Sequence, residues 1–93
     1  MATAYVSAGK ARAAIGSPIF YGPVSTETVT TSGTADSTTI TLPTGGAFEV
    51  FCDTALIVAV KGAASASNGK YCPANVQNYI GGDQGDTLSL IEA

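Results

Sequence analysis

"FEVFCDTALIVAV", residues 48–60, is the most apolar stretch of the chain, and three readings compete for it: a membrane helix, a strand of a catalytic core, or part of a β-sandwich. The membrane reading fails on length. The stretch has 13 residues, against the roughly 20 that cross a bilayer as a helix, and it carries Glu49 and Asp53. Its internal pattern is that of strands. Phe48, Val50 and Cys52 alternate with Glu49, Phe51 and Asp53, the period of two that sends successive side chains to opposite faces of a sheet. "DTA" then offers a turn, and residues 56–60 form a run rich in β-branched side chains. The stretch therefore predicts two strands of an antiparallel core, and not one helix.

Upstream, "ETVTTSG" and "STTITLP" are β-branched runs on either side of a turn segment at residues 33–37, the pattern of a β-hairpin. In the second run Thr39 and Thr41 face one side, Ile40 and Leu42 the other. Downstream, "KGAASASNGK" is a small-residue loop with an Asn68-Gly69 turn signal, expected to project from the body. "KYCPANVQNYI" gives a strand near residues 70–72, a turn at 73–75 and a strand at 76–80, with Pro73 arguing against a central ladder position. "GGDQGD" turns the chain into "TLSLIEA", where Leu88 and Leu90 alternate with Ser89 and Ile91. Six or seven short strands at spacings of about 8–12 residues predict an all-β fold, a small antiparallel β-sandwich or jelly-roll-like barrel.

The first 24 residues show no steady period, and Gly16, Pro18, Gly22 and Pro23 punctuate them. They are expected to form an extended N-terminal arm with one helical turn near residues 10–14, pinned by Phe20 and Tyr21, ahead of a single sandwich domain at residues 25–93. Lys10 and Arg12 interrupt any apolar core of export-signal length, so no such signal is expected. At 93 residues the chain buries only about 60% of its unfolded surface. A core this thin favours a protein that gains stability from a partner or from copies of itself.

Composition narrows the function. The net charge is −3 and the four basic residues, Lys10, Arg12, Lys61 and Lys70, are scattered; no patch forms to neutralise phosphates, so nucleic acid is not an expected partner. The absence of histidine removes Ser-His-Asp and Cys-His catalysis and the commonest metal ligand. Glu49 and Asp53 lie four residues apart on a strand, about 13 Å along it, too far for a glycosidase pair. No catalytic set, cofactor or metal is expected. Cys52 and Cys72, 20 residues apart, read as two buried thiols, with a cross-strand disulfide as the alternative. Asp83 and Asp86 read as a turn before the last strand, with a lone calcium site as the alternative. The Thr28/Thr30 and Thr39/Thr41 pairs keep open a flat hydroxyl face for glycan binding.

The run "TVTTSGTADSTTITLPTGGAFEVFCDTALIVAV", a small-residue loop, then "KYCPANVQNYIGGDQGDTLSLIEA" resembles short virion accessory proteins of tailed bacteriophages. In these a Thr/Ser/Ala-rich hairpin leads to an alternating apolar strand, a variable loop, a "YLPAN...EYF" segment and a closing "GDKVAVI" strand. "YCPANVQNYI" and "GDTLSLI" occupy those last two places, with Cys72 standing where leucine is usual. The resemblance covers roughly residues 24–93 and implies a capsid decoration or cement protein, located on the capsid surface of a virion assembled in the host cytoplasm. Its partners would be the major capsid protein and copies of itself, in a possible trimer. A head-fibre or tail component is the variant of this reading. On it, Phe20 and Tyr21 in the arm, with Lys10 and Arg12, and Ser65 and Asn68 in the loop are the expected contact residues, and loss of residues 2–15 is expected to leave a soluble fold that no longer binds particles.

Overall fold

The computed structural model describes residues 1–14 and 17–93. The described residues form eight strands: β1 (Ala2–Ala14), β2 (Ser17–Thr31), β3 (Asp36–Ser37), β4 (Gly46–Phe51), β5 (Leu56–Ala59), β6 (Lys70–Cys72), β7 (Asn78–Gly81) and β8 (Ser89–Glu92). They make two antiparallel four-stranded sheets, ordered β2-β1-β4-β7 and β3-β8-β5-β6. The described residues contain no helix, and so none long enough to cross a bilayer.

The strand order has a further regularity. Counting from β2 as the first strand and taking β1 as the eighth, the sheets read 1-8-3-6 and 2-7-4-5, the order of an eight-stranded jelly roll. The fold is thus a jelly roll whose last strand has moved to the front of the chain. The chain ends agree with this, because the Met1 ammonium lies 3.7 Å from a Glu92 carboxylate oxygen and Thr31 Oγ1 donates to both Ala2 O and Glu92 Oε2.

"FEVFCDTALIVAV" divides as its pattern predicts. Phe48, Val50 and Cys52 are buried and Phe51 faces outward; Leu56 and Val58 are buried on β5. The two strands belong to different sheets, so the segment between them carries the chain across the sandwich. The core consists of the inward residues of both sheets, chiefly Val6, Phe48, Val50, Leu56, Leu88 and Leu90.

The expected N-terminal arm is not there. β1 lies between β2 and β4 in the first sheet, with Ala4, Val6 and Ala8 buried, and residues 10–14 are strand, not a helical turn. Residues 15 and 16 of the expected arm lie outside the described residues. The small alternate residues Ala4 and Ala8 gave the segment too little apolar contrast to show its period. Their small size is what the core opposite Phe48 accepts, since Ala8 pairs with Phe48 directly. The punctuating residues have a local explanation. Lys10 faces Tyr21 whereas Gly9 faces Val24, so Gly22 and Pro23 form a bulge on β2, where Gly22 takes φ +77°, a region open to glycine. β2 is an edge strand, where a proline costs no ladder bond to an outer neighbour. The radius of gyration, 12.0 Å, matches the roughly 12 Å of a compact chain this long.

The expected hairpin between "ETVTTSG" and "STTITLP" is replaced by a crossing. β3 pairs with β8 and not with β2. Glu27, on the inward side of β2 opposite Val6, accepts the backbone N–H groups of Thr39 and Ile40 at 2.8 and 3.1 Å and the Thr39 hydroxyl at 3.2 Å. Thr38 Oγ1 accepts the Leu88 N–H and donates to Ile40 O. These side chains satisfy backbone groups that a ladder would otherwise have taken. The side preference of the run survives: Leu42 is buried and Thr39 and Thr41 are exposed.

Candidate contact surface

Because β1 alternates, its odd residues build the outer face of the first sheet together with their ladder partners. Tyr5 stands between Thr28 and Phe51, and Ser7 between Thr26 and Glu49, which in turn faces Tyr79. The second row is hydrogen-bonded at both ends: the Ser7 and Thr26 hydroxyls are 3.2 Å apart, and Tyr79 donates its hydroxyl to Glu49 Oε2 at 2.7 Å. That bond to the carboxylate, with burial second, holds the Tyr79 phenol above its ordinary value. Gly9 leaves a gap beside this row, for a Cβ there would lie 3.1 Å from Val24 Cγ2 and 3.5 Å from the Phe20 ring. Phe20 uses the gap to approach Tyr79, ring centroids 6.3 Å apart, within the range of favourable aromatic pairs. Tyr5, Val24 and Phe51 remain 54%, 43% and 38% exposed.

Phe20 and Tyr21, expected to anchor together, point to opposite sides of the β1–β2 ribbon. Phe20 belongs to the outer face. Tyr21 pairs with Lys10, and the Arg12 guanidinium lies over its ring at 4.3 Å, a cation–π contact. On that side a groove of about 660 Å³ opens between the ribbon, with Lys10, Tyr21 and Pro23, and the opposite wall of Leu42, Pro43 and Gln84. Four of the six residues expected to make contacts therefore share the ribbon. Ser65 and Asn68 lie apart from them in the β5–β6 loop, where each backbone N–H donates to the other's carbonyl. That loop is tied to the body, since the buried Ala64 donates its N–H to Ser89 Oγ at 2.9 Å. The groove and the outer-face row escaped the sequence reading because both depend on β1 being a strand.

Elsewhere the polar groups serve the fold. Lys61 Nζ lies 3.0 Å from both Asp83 Oδ2 and Asp86 Oδ2, and Asp86 Oδ2 also accepts the Asp83 N–H. The Asp83–Asp86 turn thus has an ammonium as its cation, and the Asp83 N–H, then Lys61, lower the Asp86 carboxyl. Cys52 and Cys72 are free thiols, both buried, and burial pushes the Cys72 thiol up. Among the described residues no group of three or more Cys, Asp or Glu is placed to hold a metal ion. Comparison with protein-family models, curated proteins and solved structures finds no match to this chain.

Proposed function

We propose that the chain is a structural virion protein of a tailed bacteriophage, a decoration or cement protein that binds the outer surface of the shell built from the major capsid protein. The observation that carries the reading is the outer face of the first sheet, where Tyr5, Val24 and Phe51 are exposed among threonines and Glu49 is the one carboxylate, already bonded to Tyr79. A surface with rings, hydroxyls and little charge is suited to burial against another protein. Binding only to the closed shell stabilises that shell by mass action. Copies joined about a local symmetry axis, in a trimer for example, bind more tightly through multivalency.

The test is purification of the particles encoded beside this chain and a count of its copies per particle. Copies in the hundreds support shell decoration, a dozen or fewer support a fibre or tail position, and absence refutes the virion reading. Thr28 and Thr30, exposed on the same face beside Tyr5, favour one second reading, a glycan-binding module. Such a module binds a sugar array as an isolated chain, whereas a decoration protein is nearly inert alone and saturates a particle.

A further inference from the structure

The groove between the β1–β2 ribbon and the Leu42–Pro43 wall is a separate surface from the outer face, and its chemistry is distinctive. The chain has seven acidic and four basic residues, yet the groove lining includes Lys10 and no Asp or Glu. Arg12 stands two residues further along the same side of β1, held over Tyr21. Among the described residues neither Lys10 nor Arg12 forms an ion pair, whereas Lys61 is committed to two aspartates. Two cations without ionic partners thus flank a recess lined by Tyr21, Pro23, Leu42 and Pro43 together with the polar Ser25, Thr41 and Gln84. The volume is that of a typical ligand site.

We propose that this groove docks an extended acidic segment of a partner protein, with a carboxylate between Lys10 and Arg12 and an adjoining apolar side chain between Pro23, Leu42 and Pro43. Charge complementarity selects the occupant: the cations favour a carboxylate, and Pro23, Leu42 and Pro43 offer apolar contact to the residue beside it. Tyr21 positions Arg12 by stacking, which lowers the entropy lost on binding. The partner is a shell subunit if the decoration reading holds, and only that identification rests on it.

The test is selection of a random displayed peptide library on the immobilised full chain, followed by affinity measurement of the enriched peptides. Peptides carrying Asp or Glu next to an apolar residue are expected, with amide shifts on binding at Lys10, Tyr21 and Leu42 in the NMR spectrum. Lys10→Ser and Arg12→Ser should each weaken binding about tenfold, the effect of losing one charge-assisted contact, while Lys70→Ser, on β6, should leave it unchanged. Unchanged urea midpoints show that the variants are folded; for a variant that is not, the shift map on the wild-type chain decides. No enrichment, enriched peptides without acids, shifts elsewhere, or binding of oligogalacturonate in place of the peptides overturns the proposal. Peptide binding at the groove with no copies on particles leaves the groove standing and removes the decoration reading.

Discussion

Val6 separates an N-terminal arm from a central strand. It is fully buried on β1, opposite Val50 of β4 and Glu27 of β2. Val6→Ala removes two carbons, a transfer loss of about 1.6 kcal/mol at roughly 0.8 kcal/mol each. A residual cavity of roughly 40 Å³ adds about 1 kcal/mol at about 24 cal/mol per Å³. The expected destabilisation is therefore about 2–3 kcal/mol, a substantial part of the roughly 5–14 kcal/mol available to a chain this long. Urea unfolding followed by tyrosine fluorescence, the chain having no tryptophan, should show a midpoint lowered by about 2–3 M if the slope is about 1 kcal/mol/M. Val24→Ala, on the exposed side of the bulge, serves as the control, with a change of about 0.5 kcal/mol or less. Equal, negligible effects of the two substitutions would show that β1 is dispensable and that the sheet order described above is wrong. By the same reasoning, removal of residues 2–15 destroys the fold and does not yield a soluble core.

Glu27 should make stability depend on acid. The N–H of Ile40, ahead of those contributed by Thr39, lowers its folded value below the ordinary 4.5, so its contribution is present above that value and is lost as pH falls through the folded one. Glu27→Gln should cost about 1 kcal/mol at neutral pH, discounted for exposure, and the gap to wild type should close as the solution is acidified. If the gap is the same at all pH values, the carboxylate charge is not what holds residues 39–40. Gly69→Ala should destabilise by more than about 1 kcal/mol, because φ is +141° and the new Cβ would lie 2.6 Å from Val58 O; thermal melting checks this. Lys61→Gln should raise the Asp86 titration toward its ordinary 3.8, observable by carboxyl NMR. Cys52 and Cys72 should resist a thiol reagent in the folded chain and react together in urea; prompt reaction would contradict their burial.

The sandwich was legible where one face is apolar and the other polar. Phe48, Val50 and Cys52, and later Leu88 and Leu90, display their alternation openly, and all five are buried. β1 was hidden because alanine serves both as core filler and as surface residue. The hairpin error at residues 27–43 has a different origin: β-branched composition records a preference for extended backbone but not the identity of the pairing strand. Glu27 decides that matter through hydrogen bonds spanning 12 and 13 residues. Of the candidate site, the sequence marked Phe20, Tyr21, Lys10 and Arg12. It did not reveal that Gly22 and Pro23 insert a bulge, or that adjacent aromatics alternate to opposite sides of a strand.

The displaced strand also bears on how the molecule forms. In an ordinary jelly roll the first and last strands pair, so the longest ladder waits for nearly the whole chain to come together. Here that ladder, Ala2 with Thr31 through Ala14 with Ser17, lies between neighbours in sequence. Reducing the closing loop from most of the chain to a few residues lowers the entropic cost of that pairing by about 2–3 kcal/mol. Local contacts of this kind speed folding. The β1–β2 ribbon is therefore the natural nucleus, able to form before β8 has left the ribosome and to offer β4 a preformed edge on which the first sheet grows.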